Sequence, residues 1–376
     1  MGQAQPTSAY VHFPWCLAKC PYCDFASAAI RRAEVPHDAY ADAVLAELSA
    51  RDLSGRALVS VFFGGGTPSL WDPAALGRVL AAVRAAFGCT DPIEVTVECN
   101  PTSLDADKAA RLREVGVNRL SIGVQSLDDA RLRFLGRLHD AAGALRALDA
   151  VVPVMERVSA DLMFGMPGQR AGDFAEELAR VLATGVEHVS AYALTIEPDT
   201  QFGALHRKGR LALAPEDDFA DTFERAREQL AAAGFSHYEV SNHARPGRES
   251  QHNLHYWRGG DYLGLGAGAV GALDGLRTKN DPRPERYLAA PAGAVVFEET
   301  LSPEDRVREA LMLGLRTREG VALDAVRART GLDPRAGRER AIARRIERGD
   351  LRVEGDAMRV PEARWLHLDA IVTDLF

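Results

Sequence analysis

Cysteine is scarce in this chain, with five in 376 residues. So few, without a framework of even spacings, exclude a disulfide-stapled scaffold and point to a reducing cytoplasm. Basic residues are outnumbered, 45 Lys and Arg against 53 Asp and Glu for a net charge of −8. That balance argues against a dedicated nucleic-acid binder, which carries a basic surface. No uninterrupted apolar run approaches the ~20 residues of a spanning helix, so an integral membrane protein is not expected. The start, "MGQAQPTSAY", lacks a basic region followed by an apolar one, and no signal peptide is evident. What remains is ordinary globular composition, 47% apolar and 26% charged, in a chain long enough for more than one domain.

Three of the five cysteines fall close together in "YVHFPWCLAKCPYCDF". Cys16, Cys20 and Cys23 stand at C-x3-C-x2-C spacing directly after a short apolar strand. Three such thiolates can each take one iron of a [4Fe–4S] cube, which normally has four cysteine ligands. The position two past Cys23 is Phe25, so one iron is left for a non-protein ligand. Zinc would want a fourth Cys or His at compact spacing, and His12 lies on the strand. A disulfide would leave an odd thiol. Cys89 and Cys99 lie outside the motif and read as small buried hydrophobes, although Cys99 adjoins Glu98.

After this loop the chain alternates strands and helices. Pro36 to Leu53 reads as a helix, Leu58 to Phe63 as a buried strand stopping at Gly64, Gly65 and Gly66, and Asp72 as the cap of the next helix. Ile93 to Glu98, "RLSIGVQS", "VSADLMFGMPGQ" and "HVSAYALTIEP" read as further strands, with helices between them. Six such units predict a parallel sheet curled by right-handed crossovers into a partial (β/α)6, TIM-like barrel. Chemistry in such barrels sits at the strands' C-terminal ends. The cysteine loop, "GGGTP", "ECNP", "GVQS" and "GMPG" all fall there. Beyond Ile196 the pattern loosens, and "HNLHYWRGGDYLGLGAGAVGAL" shows little helical period. The expected organisation is a barrel over residues 1–270, a Pro-rich linker over 271–300, and a small α+β, winged-helix-like domain over 301–376.

The loop, "FFGGGTPS", "GVQS" followed by Arg137 in "LGRLHD", and "ADLMFGMPGQ" resemble the HemN/HemW branch of the radical S-adenosylmethionine (SAM) proteins, over roughly residues 8–270. The resemblance implies that Cys16, Cys20 and Cys23 hold a [4Fe–4S] cluster whose open iron takes the amino and carboxylate groups of SAM. It implies SAM contacts from Tyr10, Gly65, Glu98, Ala193 and Val270. It places Tyr22, Gly66, Thr67, Gln125, Arg137 and Asp161 where the branch's decarboxylating dehydrogenase holds a second SAM. From residue chemistry alone, a glycine run permits close backbone approach but also suits a tight turn. Glu98 suits ribose or an amino group but also a surface ion pair.

Two departures separate this chain from that dehydrogenase. Phe25 stands where its motif has a further cysteine, and only nine residues precede Tyr10, too few for its covering N-terminal extension. In the other direction "HNLHYW" matches the H-N-x-x-Y-W signature of the branch's heme chaperones. His252 is the candidate heme contact, with Asn253, Tyr256 and Trp257 completing the motif and His255 a second histidine. Imidazole is a common axial ligand, and Tyr and Trp offer flat faces. The alternative is that Tyr256 and Trp257 plug the barrel's open side while His252 hydrogen-bonds locally. The function implied is a cytoplasmic chaperone, monomer or homodimer, passing heme to an acceptor hemoprotein that can be membrane-bound, without nucleic acid. The enzyme alternative is radical chemistry on a porphyrinogen, or a methylation or cyclopropanation.

Overall fold

A computed structural model describes residues 4–376. Six strands run in parallel order: β1 (Gln5–Phe13), β2 (Arg56–Gly65), β3 (Glu94–Cys99), β4 (Arg119–Gln125), β5 (Arg157–Phe164) and β6 (His188–Ala193). Alternation along each strand explains their burial on two sides. Ala9, Val11 and Phe13, Val61 and Phe63, Val95 and Val97, Leu120 and Ile122, Val158, Ala160 and Leu162 are all buried. They share one core with helical stripes such as Leu76, Val79, Leu80 and Val83 of α2 (Pro73–Ala86). The intervening positions carry Ser8, Ser60, Glu94, Thr96, Arg119, Ser121, Ser159, His188 and Ser190, and they too are buried. The barrel interior is therefore polar. Arg157 on β5 reaches across to Glu94 on β3 at 2.7 Å, past the strand between them.

Local signals set the helices. Asp72 caps α2 by accepting from the Ala74 N–H at 2.8 Å, with Pro73 in the first turn, a cap worth about 1 kcal/mol. Asp105, Asp128 and Asp140 cap α3 (Ala106–Glu114), α4 (Asp129–Phe134) and α5 (Ala141–Val151) in the same way. The first helix, α1 (His37–Ser49), brings Tyr40 against Phe13, Trp15 and Trp71 with ring centroids 4.9–5.8 Å apart. These aromatic contacts add about 0.5–1.5 kcal/mol per pair beyond burial and brace the base of the cysteine loop. Helices α6 (Ala171–Ala183), α7 (Gln201–Arg207) and α8 (Glu216–Ala232) complete the outer layer.

Three findings correct the expectations beyond β6. "HNLHYW" lies in a helix, α9 (Gln251–Trp257), because Ser250 caps it and Glu94 of β3 accepts from the Gln251 and His252 N–H groups at 3.0 and 2.9 Å. The glycine-rich run after it supplies β9 (Asp261–Leu265), a seventh parallel strand on the free side of β1 with Gly264 opposite Tyr10. Residues 271–300 are no linker. They lie in β10 (Val270–Leu273), β11 (Leu276–Asn280), helix α10 (Pro284–Ala289) and β12 (Val295–Thr300), which extend the sheet antiparallel from β9. Pro284 and Pro291 start α10 and a short turn rather than marking an open chain.

On the other edge, β7 (Ser236–Glu239) and β8 (Asn242–Ala244) pair antiparallel onto β6. The C-terminal region matches the winged-helix-like expectation. Helices α11 (Pro303–Gly314), α12 (Leu323–Thr330) and α13 (Glu339–Glu347) surround a small sheet of β13 (Val321–Ala322), β14 (Arg352–Glu354) and β15 (Ala357–Arg359). It docks on the β7–β8 edge. The Val240 N–H donates to the Arg316 carbonyl at 3.1 Å, Arg316 pairs with buried Glu239 at 2.6 Å, and Trp365 packs edge-on to His237 at 4.4 Å.

Candidate functional site

The cysteine loop leaves β1 and folds over the barrel mouth. A two-residue parallel ladder, Trp15–Cys16 with Ala28–Ala29, closes its base. The glycine turn after β2 is tied to it, with the Gly66 and Thr67 N–H groups donating to the Phe13 and Trp15 carbonyls at 2.7 and 2.8 Å. Gly65 has φ 105°, and a Cβ there would meet the His12 ring at 2.5 Å; one on Gly66 would meet the Trp15 carbonyl at 2.6 Å. The chain's own packing, before any ligand, demands glycine at both positions.

Cys16, Cys20 and Cys23 all line one cavity of about 530 Å³, and all are free thiols. The Thr67 hydroxyl points at Cys16 Sγ at 3.3 Å, and the Arg137 guanidinium at Cys20 Sγ at 3.6 Å. Burial pushes the Cys16 and Cys23 thiols up. Among the described residues, no three His, Cys, Asp or Glu side chains close on one ion. Three thiols lining one cavity can each take their own iron of a cube.

Across the cavity, Tyr22, Gly65, Gly66, Thr67, Glu98, Gln125, Arg137 and Asp161 meet the cysteines. Glu98 accepts the Gly65 N–H at 3.1 Å. Burial, then the nearby Asp161 carboxyl, pushes Glu98 up to about 8 despite that bond. Asp161 accepts from the Ser121 hydroxyl at 3.0 Å, and burial raises its carboxyl as well. Two buried acids just below three thiols suit a cationic, hydroxyl-bearing ligand. Gln125 sits at φ 67°, a left-handed backbone uncommon outside glycine, where the β4–β5 register shifts. Arg137 donates to the Gly123 carbonyl at 2.9 Å, spanning that irregular strand end and the cysteine loop.

A second chamber, of about 320 Å³, adjoins the first. Tyr10, His252, Asn253, Tyr256, Trp257 and Arg316 line it, and it shares Phe62, Tyr192, Asn253 and Trp257 with the first. His252 Nδ1 meets the Ser60 hydroxyl at 2.9 Å and its ring lies 4.9 Å from Phe62. Burial brings His252 down to about 4, so the ring is neutral near pH 7. His255 is turned away, its Nε2 on the Asp261 carbonyl at 2.8 Å. Arg316 stacks over Trp257 at 4.8 Å.

Most sequence candidates thus meet in two connected chambers. Ala193 and Val270 line neither: Ala193 ends β6, and Val270 opens β10 beside Gly264. Tyr10 lines the second chamber with its hydroxyl on His12 Nδ1 at 2.9 Å. Arg119, Ser121, Ser190 and Tyr192 also line the first cavity, outside the motifs the sequence offered. Their signal is polar side chains at every second position of strands that otherwise read as apolar runs.

A three-thiol loop over the polar mouth of a parallel (β/α) barrel defines a radical SAM protein. Family models agree: the Radical SAM superfamily matches residues 10–181 and the HemN C-terminal domain residues 301–367. The heme chaperone HemW of Escherichia coli is 41% identical over 77% of this chain and 77% of its own length. HemW of Mycobacterium tuberculosis is 37% identical over 99% of this chain and 95% of its own. The solved structure of E. coli coproporphyrinogen III oxidase (HemN), a radical SAM enzyme, superposes with a TM-score of 0.81 at 22% identity, covering 99% of this chain and 90% of that one. This chain belongs to the HemW family of the radical SAM superfamily.

Proposed function

We propose that this protein is a heme chaperone that takes up heme at α9 and passes it to an acceptor hemoprotein in a reducing compartment. Cys16, Cys20 and Cys23 hold a [4Fe–4S] cluster, and Glu98 and Asp161 face the SAM bound to it. When present, cluster and SAM supply one-electron chemistry. The observation that carries the reading is α9 itself: a single helix lines the second chamber with His252, Asn253, Tyr256 and Trp257, and its Asn253 and Trp257 also line the first.

His252 is prepared as an axial ligand. Ser60 engages Nδ1 and so fixes the ring's orientation, while Nε2 has no hydrogen-bond partner among the described residues. Being neutral near pH 7, it keeps the lone pair that binds iron. Titration of the purified protein with hemin, read at the Soret band, is expected to saturate. His252→Ala should weaken binding by about tenfold or more, a loss of at least 1.4 kcal/mol. A titration that never saturates, or one identical in the variant, rejects the assignment.

A further inference from the structure

Below Asp161 the barrel interior contains groups that neither thiol ligation nor heme contact uses. Ser159 lies two residues before Asp161 on β5, so both point inward, and its hydroxyl donates to Asp161 Oδ1 at 3.3 Å. Ser159 Oγ meets His188 Nδ1 at 2.7 Å, and His188 Nε2 meets the Tyr238 hydroxyl at 2.7 Å. The Tyr238 oxygen accepts the backbone N–H of Ser250 at 3.3 Å. Ser250 is the N-cap of α9, its hydroxyl accepting from the Asn253 N–H.

We propose that Ser159, His188 and Tyr238 form a polarised hydrogen-bond relay that couples the cavity carboxylate Asp161 to the capped start of α9. Donor and acceptor roles run one way. The Ser250 N–H donates to Tyr238, the Tyr238 O–H to His188 Nε2, the His188 Nδ1–H to Ser159, and the Ser159 O–H to Asp161. Reversing the histidine tautomer would leave the Tyr238 proton without an acceptor in a buried site, which is costly. Ser159, His188, Tyr238 and Ser250 are all buried, so water does not readily replace a link behind Asp161, which lines the first cavity. Chains of this kind polarise one another in a low-dielectric interior. A ligand that claims Asp161 therefore draws on the bond from Ser159, and the change reaches the cap that seats His252. His188 and Tyr238 are positioning residues, since neither lines either chamber. The link to SAM rests on the reading of Asp161 given above; the relay does not.

Amide hydrogen exchange of the peptide containing residues 250–257, in the full-length cluster-free protein, tests the relay. Asp161→Asn is expected to speed exchange there by about fivefold, the scale of one hydrogen bond. In the Tyr238→Phe background, which keeps the ring but breaks the relay, Asp161→Asn should add nothing. An equal Asp161→Asn effect in both backgrounds, or none in either, overturns the proposal. Nitrogen-15 histidine spectra, with His188→Gln for assignment, should show His188 protonated on Nδ1; protonation on Nε2 also overturns it. In cluster-loaded protein, SAM should alter exchange of the same peptide only when Tyr238 is present. If the cluster-free cycle shows coupling and SAM leaves the peptide unchanged, the relay stands and the assignment of Asp161 to SAM falls.

Discussion

Glu98 carries a charge state that the fold, not the residue type, determines. Its carboxyl moves from an ordinary 4.5 to about 8, first through burial and then through Asp161. The folded protein therefore holds a proton that the unfolded chain releases above pH ~4.5, and stability must fall as pH rises through about 8. Asp161, also raised, acts in the same direction. Buried His139, His237 and His252, each brought down to about 4 chiefly by burial, act oppositely: they lose stability only as pH falls below 6.5. Between about pH 6.5 and 8 Glu98 still titrates while these histidines no longer do. Urea unfolding of the cluster-free protein should show the midpoint falling across that window, and Glu98→Gln should flatten most of the decline. A wild-type midpoint that is constant or rising there contradicts the buried, protonated acid.

Helix α9 is the element on which both functional proposals turn, and its own sequence does not hold it. Seven residues are too few for a stable isolated helix. Glu94, from a strand more than 150 positions earlier, accepts the Gln251 and His252 N–H groups and the Ser250 hydroxyl while pairing with Arg157 at 2.7 Å. Burial works against the Glu94 charge, but Arg119, Arg157 and these amides hold its carboxyl below the usual range. Glu94→Gln leaves Arg157 without its counter-charge and turns an amide toward backbone donors. We expect a loss of about 3 kcal/mol in urea unfolding, in the range for broken buried pairs, with faster tryptic cleavage at Arg258, the α9 C-cap. Unchanged cleavage would mean that the helix is held by its own Ser250 cap. The dependence on Glu94 explains why "HNLHYW" was legible as a chemical motif and not as a helix. Its residues and spacing are local, whereas the acceptors that satisfy its first turn arrive from β3.

At the scale of the molecule, the C-terminal domain is docked against the β7–β8 edge and against α9. Arg316 pairs with Glu239, fully buried on β7, and covers Trp257. Arg316→Ala strands that carboxylate, and the cost should be about 3 kcal/mol, read as a lower urea midpoint for the whole protein. A separate early transition confined to the C-terminal domain would instead show that the two regions unfold independently.

By itself the sequence determined the cysteine loop, the glycine turn after β2, the six strand–helix units and the end of the barrel where chemistry gathers. Each is written in neighbouring residues: ligand spacing, backbone freedom, caps and periodicity act over a few positions. Only the tertiary structure decided the seventh parallel strand, the strands within 271–300, the helical state of "HNLHYW" and the polar interior joining Asp161 to Ser250. Those depend on partners tens to hundreds of residues apart, and the hydrogen bonds that decide them exist only once the sheet has curled and brought its alternate side chains face to face.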